Sequence, residues 1–162
     1  MKHNEIYLGD AIDVIEEVLA SGGEFKMYPK GNSMLPLIKA GADAVVLKKV
    51  AISDLKKNDI AFYKRDNGQF VLHRIMKREA DGTFTMCGDN QLYLERGIKE
   101  DQIICKVDRI YKKEKLLDFK GFRYRAYLAI WCNMPIRRFL RLPQRCVRKI
   151  GRICSKLSKS VD

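Results

Sequence analysis

The chain has five cysteines, and no two of them stand at C-x-x-C spacing. Cys87, Cys105, Cys132, Cys146 and Cys154 are odd in number and widely scattered. That argues against a zinc site or a disulfide framework and suits thiols kept reduced. Histidine is scarcer still, with only His3 and His73. No Gly-rich phosphate loop, dinucleotide fingerprint or metal-ligand cluster occurs, so no cofactor or metal is expected. The amino terminus lacks the basic region and apolar core of a secretory signal. The most apolar stretch, Ala126 to Ile136, is about half the ~20 residues a membrane-spanning helix needs. These absences predict a cytoplasmic protein, soluble or peripheral to a membrane.

Acidic residues are missing from one region only. Residues 119–161 hold 12 Lys and Arg and no Asp or Glu, whereas residues 1–118 hold 20 basic against 19 acidic side chains. The net charge of +12 therefore sits almost wholly in the last quarter of the chain. Such a segment suits an anionic partner, either lipid headgroups or nucleic acid.

The apolar pattern divides the chain in three. Asp10 to Ser21 reads as an amphipathic helix, with Ile12, Ile15, Val18 and Leu19 on one face and Gly22-Gly23 ending it. From Glu24 the period changes to two, and strands are predicted over 24–30, 44–50, 59–64, 69–78, 83–87 and 103–112. Asp66-Asn67-Gly68 and Ala80-Asp81-Gly82 join neighbouring runs as hairpin turns. Short turns between six strands imply a mainly β, antiparallel domain over 24–118. From Phe119 a third texture begins. Aromatic residues fill 122–133, Pro135 and Pro143 interrupt, and Ile136, Phe139, Leu140, Val147, Ile150, Ile153, Cys154 and Leu157 recur at helical spacing among arginines and lysines. A basic amphipathic helix in two pieces is predicted for 119–162.

Three short segments could carry chemistry. Gly31-Asn32-Ser33-Met34-Leu35-Pro36 follows a predicted strand and places a serine on a stiff turn, though Gly-Asn-Ser is also ordinary turn sequence. His73 lies in Phe70-Val71-Leu72-His73-Arg74-Ile75, where alternation puts it on one face with Val71 and Ile75, opposite Leu72 and Arg74. A histidine so placed can be a half-buried core residue or a general base near neutrality. Cys87-Gly88-Asp89-Asn90, followed by Glu95, supplies carboxylates that could orient an imidazole through its second nitrogen.

In this order the three segments resemble the signal peptidase family over roughly Glu24 to Lys112. The likeness is to the branch of archaea and the endoplasmic reticulum, which uses serine and histidine; the bacterial type has a Lys-Arg pair where this chain has His73-Arg74. The resemblance implies a mostly antiparallel β peptidase fold, shared with self-cleaving repressors, and small residues near the cut. It also implies a catalytic set of Ser33, His73 and an acid, either Asp89 or Glu95. Glu95 stands where that branch usually has an aspartate, while Gly88 would let Asp89 turn back tightly toward the hairpin. The chain departs from the family pattern at Gly41-Ala42-Asp43, at Asn58-Asp59 (where Gly-Asp is usual) and in having no membrane anchor.

The expected reaction is peptide cleavage through an acyl-enzyme. Two other readings use the same residues differently. A self-cleaving repressor-type peptidase would cut at Ser21-Gly22 or Gly22-Gly23. A nucleic-acid- or membrane-binding protein would act through its basic tail. The tail could equally cover the β-domain with its apolar stripe.

Overall fold

Alternating apolar side chains let the first part of the chain build one antiparallel sheet, and the protein is mainly β. The computed structural model describes residues 8–140. Helix α1 (Leu8–Ala20) buries Ile15 and Leu19 completely. Eight strands follow: β1 (Glu24–Met27), β2 (Asp43–Lys48), β3 (Ile60–Lys64), β4 (Phe70–Arg78), β5 (Phe84–Cys87), β6 (Glu95–Ile98), β7 (Ile103–Lys112) and β8 (Lys115–Leu116). Their order across the sheet is β1-β2-β7-β3-β4-β5-β6, and β8 adds to β7.

All six predicted strands are present, and both predicted turns close hairpins, β3 with β4 and β4 with β5. At the first, Gly68 takes φ +82° and donates its N–H to Arg65 O, while Asn67 Oδ1 accepts the Gln69 N–H at 3.0 Å. Strands β6 and β8 are additions to the sequence reading. Neither shows a period-two apolar pattern: β6 reads Glu-Arg-Gly-Ile and β8 has two residues. Asn58, at the place where the signal peptidase pattern usually has glycine, adopts φ +78°, a conformation asparagine tolerates better than most residues.

Register decides which side chains meet. Ala61 lies opposite His73 and Tyr63 opposite Val71, so these four share one face of the β3–β4 pair. Met86 pairs with Ile75 on one side and with Glu95 on the other, which carries the same face out to β6. That face holds a core of Leu55, Ala61, Tyr63, Ile75, Phe84, Met86, Ile98 and Ile103. Each large apolar side chain buried there contributes roughly 1.5–3 kcal/mol. The opposite face of β4 is buried as well, through Leu72 and Arg74.

The chain divides between Asp118 and Phe119 into two units. In the second, α2 spans Phe122–Ile130 and residues 134–140 form a further helical segment. Asn133 Oδ1 caps that segment by accepting the Ile136 N–H, and Pro135 falls in its first turn, where a missing N–H costs nothing. The predicted apolar positions from Val147 onward, and the interruption at Pro143, lie outside the described residues. No helix among the described residues is long and apolar enough to cross a membrane.

Candidate active site

Ser33 sits half-buried on the loop between β1 and β2, and its backbone is seated by the turn that follows β5. Asn90 donates its N–H to Ser33 O at 2.7 Å and its side-chain amide to Asn32 O at 2.9 Å. Gly88 makes that approach possible. A Cβ at this position would lie 2.7 Å from Ser33 O and 2.9 Å from Gln91 Oε1, inside any tolerable contact. Where the loop ends, the buried Asp43 at the start of β2 accepts the Lys39 N–H at 2.8 Å and Lys112 Nζ at 3.1 Å, tying the loop to β7. The Gly41-Ala42-Asp43 departure therefore keeps a carboxylate that braces the loop.

His73 is 1% exposed in the middle of β4, and of the two acids Glu95 is the one beside its ring. Its Nδ1 lies 3.0 Å from Glu95 Oε1 and 3.1 Å from the Tyr63 hydroxyl. Tyr63 donates to Glu95 Oε2 at 2.9 Å, so the hydroxyl joins the acid to the ring. Arg65 grips the same carboxylate with both arms of its fork, Nε to Oε2 at 2.8 Å and Nη2 to Oε1.

Asp89, which the tight turn at Gly88 recommends as the orienting acid, does not hold that place. Its carboxylate takes a bidentate pair from Arg74, Nε to Oδ1 at 2.8 Å and Nη2 to Oδ2 at 2.6 Å, with both side chains buried. Successive side chains of a strand leave opposite faces, so a carboxylate seated on Arg74 is on the wrong face of β4 to bond the His73 ring. Arg74 Nη1 also donates to Asn58 O at 2.6 Å. The His-Arg dipeptide thus meets two acids, one on each side of the sheet: Glu95 with His73, and Asp89 with Arg74.

The electrostatics follow from this packing. Burial is the largest influence on His73 and pulls the imidazole down to about 4 against the Glu95 carboxylate; Arg65 adds to the depression and Asp89 opposes it. Burial would raise Glu95, but hydrogen bonds from Arg65 and Tyr63 outweigh it and hold the carboxyl below its ordinary range. Burial and the neighbouring Glu95 charge raise Tyr63, which stays a neutral donor. Near neutral pH the ring is therefore uncharged, and a carboxylate can only accept. Nδ1 carries the proton, which leaves the Nε2 lone pair for a proton from elsewhere.

Ser33 and His73 both line one cleft of about 320 Å³. Met34, Ile38, Phe62 and Phe70 make its apolar wall, and Arg65 and Gln69 stand among its polar residues. No hydrogen bond joins the Ser33 hydroxyl to His73 among the described residues; such contacts often tighten only when substrate is bound. Cys87, Cys105 and Cys132 are all buried. Cys87 Sγ donates to Tyr93 O at 3.2 Å, on the loop that leads into Glu95.

Two residues of this arrangement escaped the sequence reading. Tyr63 was legible in principle, because alternation along β3 puts it on the face of Ala61, opposite His73. Arg65 was not: a basic residue at the head of a polar hairpin has an ordinary solvent-facing explanation. No family model matches this chain, and no curated protein matches it.

Proposed function

We propose that the protein is a serine endopeptidase of the signal-peptidase type, in the serine-histidine manner, with Ser33 as nucleophile and His73 as general base. The observation that carries the reading is the pairing of roles around one ring. His73 faces the same cleft as Ser33, and its Nδ1 is held by a carboxylate that fixes the tautomer. In the mechanism, Nε2 takes the proton of Ser33 Oγ as the oxygen attacks a peptide carbonyl. Backbone N–H groups around Ser33 stabilise the oxyanion, a contribution of about 3–4 kcal/mol per donor. The imidazolium, paired with Glu95, then protonates the leaving amine, and an ester on Ser33 remains. Water, deprotonated by His73, releases the acid and restores the serine.

The substrate in this reading is an extended leader or signal-like peptide lying along a strand edge. A self-cleaving repressor-type peptidase is the alternative. The enzyme is expected in the cytoplasm, peripheral to an anionic membrane through its second unit. Phe122 and Phe139 are 83% and 72% exposed there, in a region with 12 basic residues and no acid up to residue 161. Exposed aromatic side chains beside clustered cations suit a lipid interface better than a nucleic acid. The test is to incubate the full chain with a proteome-derived peptide library and read new termini by mass spectrometry. New termini from the wild type, absent with Ser33→Ala, support the proposal; equal cleavage by both removes Ser33 from it.

A further inference from the structure

Glu95 begins a four-residue edge strand, and its carboxylate is saturated by donors from three other positions. Oε1 receives Arg65 Nη2 and His73 Nδ1; Oε2 receives Arg65 Nε and the Tyr63 hydroxyl. A carboxylate offers about four lone-pair sites, and two of the four are filled by one guanidinium. Arg65 is itself fixed. Its N–H donates to Gln69 O at 2.9 Å, its carbonyl accepts the Gly68 N–H at 2.8 Å, and Nη1 donates to Gln69 Oε1. The hairpin turn thus anchors both the backbone and the side chain of the residue that grips the acid.

We propose that Arg65 is the positioning residue of the site: its two-armed grip holds the Glu95 carboxylate in the one orientation that serves His73 Nδ1. Its catalytic consequence rests on the peptidase reading above. Without the fork, a glutamate on a short edge strand keeps two of its four donors, and its long side chain regains other rotamers and contact with water. Tyr63 does not replace the fork, because its hydroxyl already lies within 3.1 Å of Nδ1 and is shared between acid and ring. A lysine does not replace it either, since a single ammonium lacks the rigid planar fork that matches both oxygens.

The experiment reads the ring itself, by ¹⁵N spectra of labelled imidazole at pH 7 in the full chain, with His3→Gln so that His73 gives the only signal. The wild-type site should show the neutral tautomer protonated at Nδ1. Arg65→Met should convert it to a mixture with the Nε2-protonated form. Arg65→Lys, which keeps the charge and loses the fork, should do the same, and it decides the matter should the methionine variant unfold. On a cleavable peptide, kcat should fall by roughly tenfold to a hundredfold with little change in KM, the scale of a misplaced catalytic group. A ring that stays protonated at Nδ1 in folded Arg65 variants overturns the proposal, as does a mixed ring at unchanged kcat. The spectra need no substrate. A wild type that shows the expected ring but cleaves nothing would remove the peptidase reading and leave the positioning role standing.

Discussion

Glu95 meets His73 at 3.0 Å although β5 runs between their strands. The contact is made along one face of the sheet, where Tyr63 on β3, His73 on β4 and Glu95 on β6 lie side by side. Asp89 is closer to His73 in sequence and serves the other face, bound to Arg74. The two acids should therefore fail in different ways when altered.

Glu95→Gln should reduce turnover by up to about four orders of magnitude, the cost of losing the correct imidazole tautomer, with the fold retained. Asp89→Asn should instead be felt in stability. It leaves the Arg74 charge buried without its counter-charge, which costs about 3–5 kcal/mol. Urea titrations and peptide kinetics on both variants check the separation. Equal loss of turnover in stable proteins would contradict the two-face assignment.

The difference between the acids shows where sequence reasoning stops. Turn chemistry favours Asp89, because Gly88 does permit a tight return; what the return serves is the Ser33 carbonyl and Arg74. The hairpins at Gly68 and Gly82, the strand alternation and the change of texture at Phe119 are local patterns, and they were legible. The partner of His73 depends on a strand, β6, whose four residues carry no alternation, and the contact reaches His73 only across the intervening β5. Arg65 is invisible for the same reason. Its role comes from a glutamate thirty residues on (95 − 65) that only the sheet brings near.

Gly88 has a sharper consequence. Gly88→Ala places a methyl group 2.7 Å from Ser33 O, so the serine loop must shift. Overpacking of this kind costs about 1–3 kcal/mol. Because Asn90 and Ser33 are coupled at the same spot, turnover should fall further than stability does. A folded, fully active alanine variant would show that the β5 turn does not seat the nucleophile.

The buried histidine also predicts the response to acid. His73 has its native value pushed down to about 4, below the ordinary 6.5, so the unfolded chain binds the extra proton first as pH falls. Stability from this residue is complete above pH 6.5 and is lost as pH drops toward 4, by up to about 3 kcal/mol. Below about 4.5 the depressed Glu95 carboxyl adds a loss of the same sign. Urea titrations at pH 7 and 4.5 should show a steep fall in the wild type and a flatter one in His73→Gln. Identical slopes would mean that the ring is not held neutral.

The second unit should bind lipid. Removing residues from Phe119 onward should release the protein from anionic liposomes and spare cleavage of a soluble peptide. Each basic residue near the surface contributes about 1 kcal/mol, and salt screens the attraction over roughly 8 Å. Should the full chain ignore anionic liposomes at low salt, or the shortened chain aggregate, the membrane role is wrong.

The central claim is that Ser33 and His73 act as one unit, and a double-mutant cycle on a peptide found in the library tests it most directly. Ser33→Ala, His73→Ala and the double variant should all lose the same roughly five to six orders of magnitude in kcat, because losing either the nucleophile or the base that activates it already disables the unit. The stability of Ser33→Ala should remain within about 1–2 kcal/mol of wild type, whereas the His73 variants should lose more, because they open a cavity and break a buried hydrogen-bonded network. A Ser33→Ala enzyme that retains the wild-type rate, or single losses that multiply in the double variant, would contradict the account.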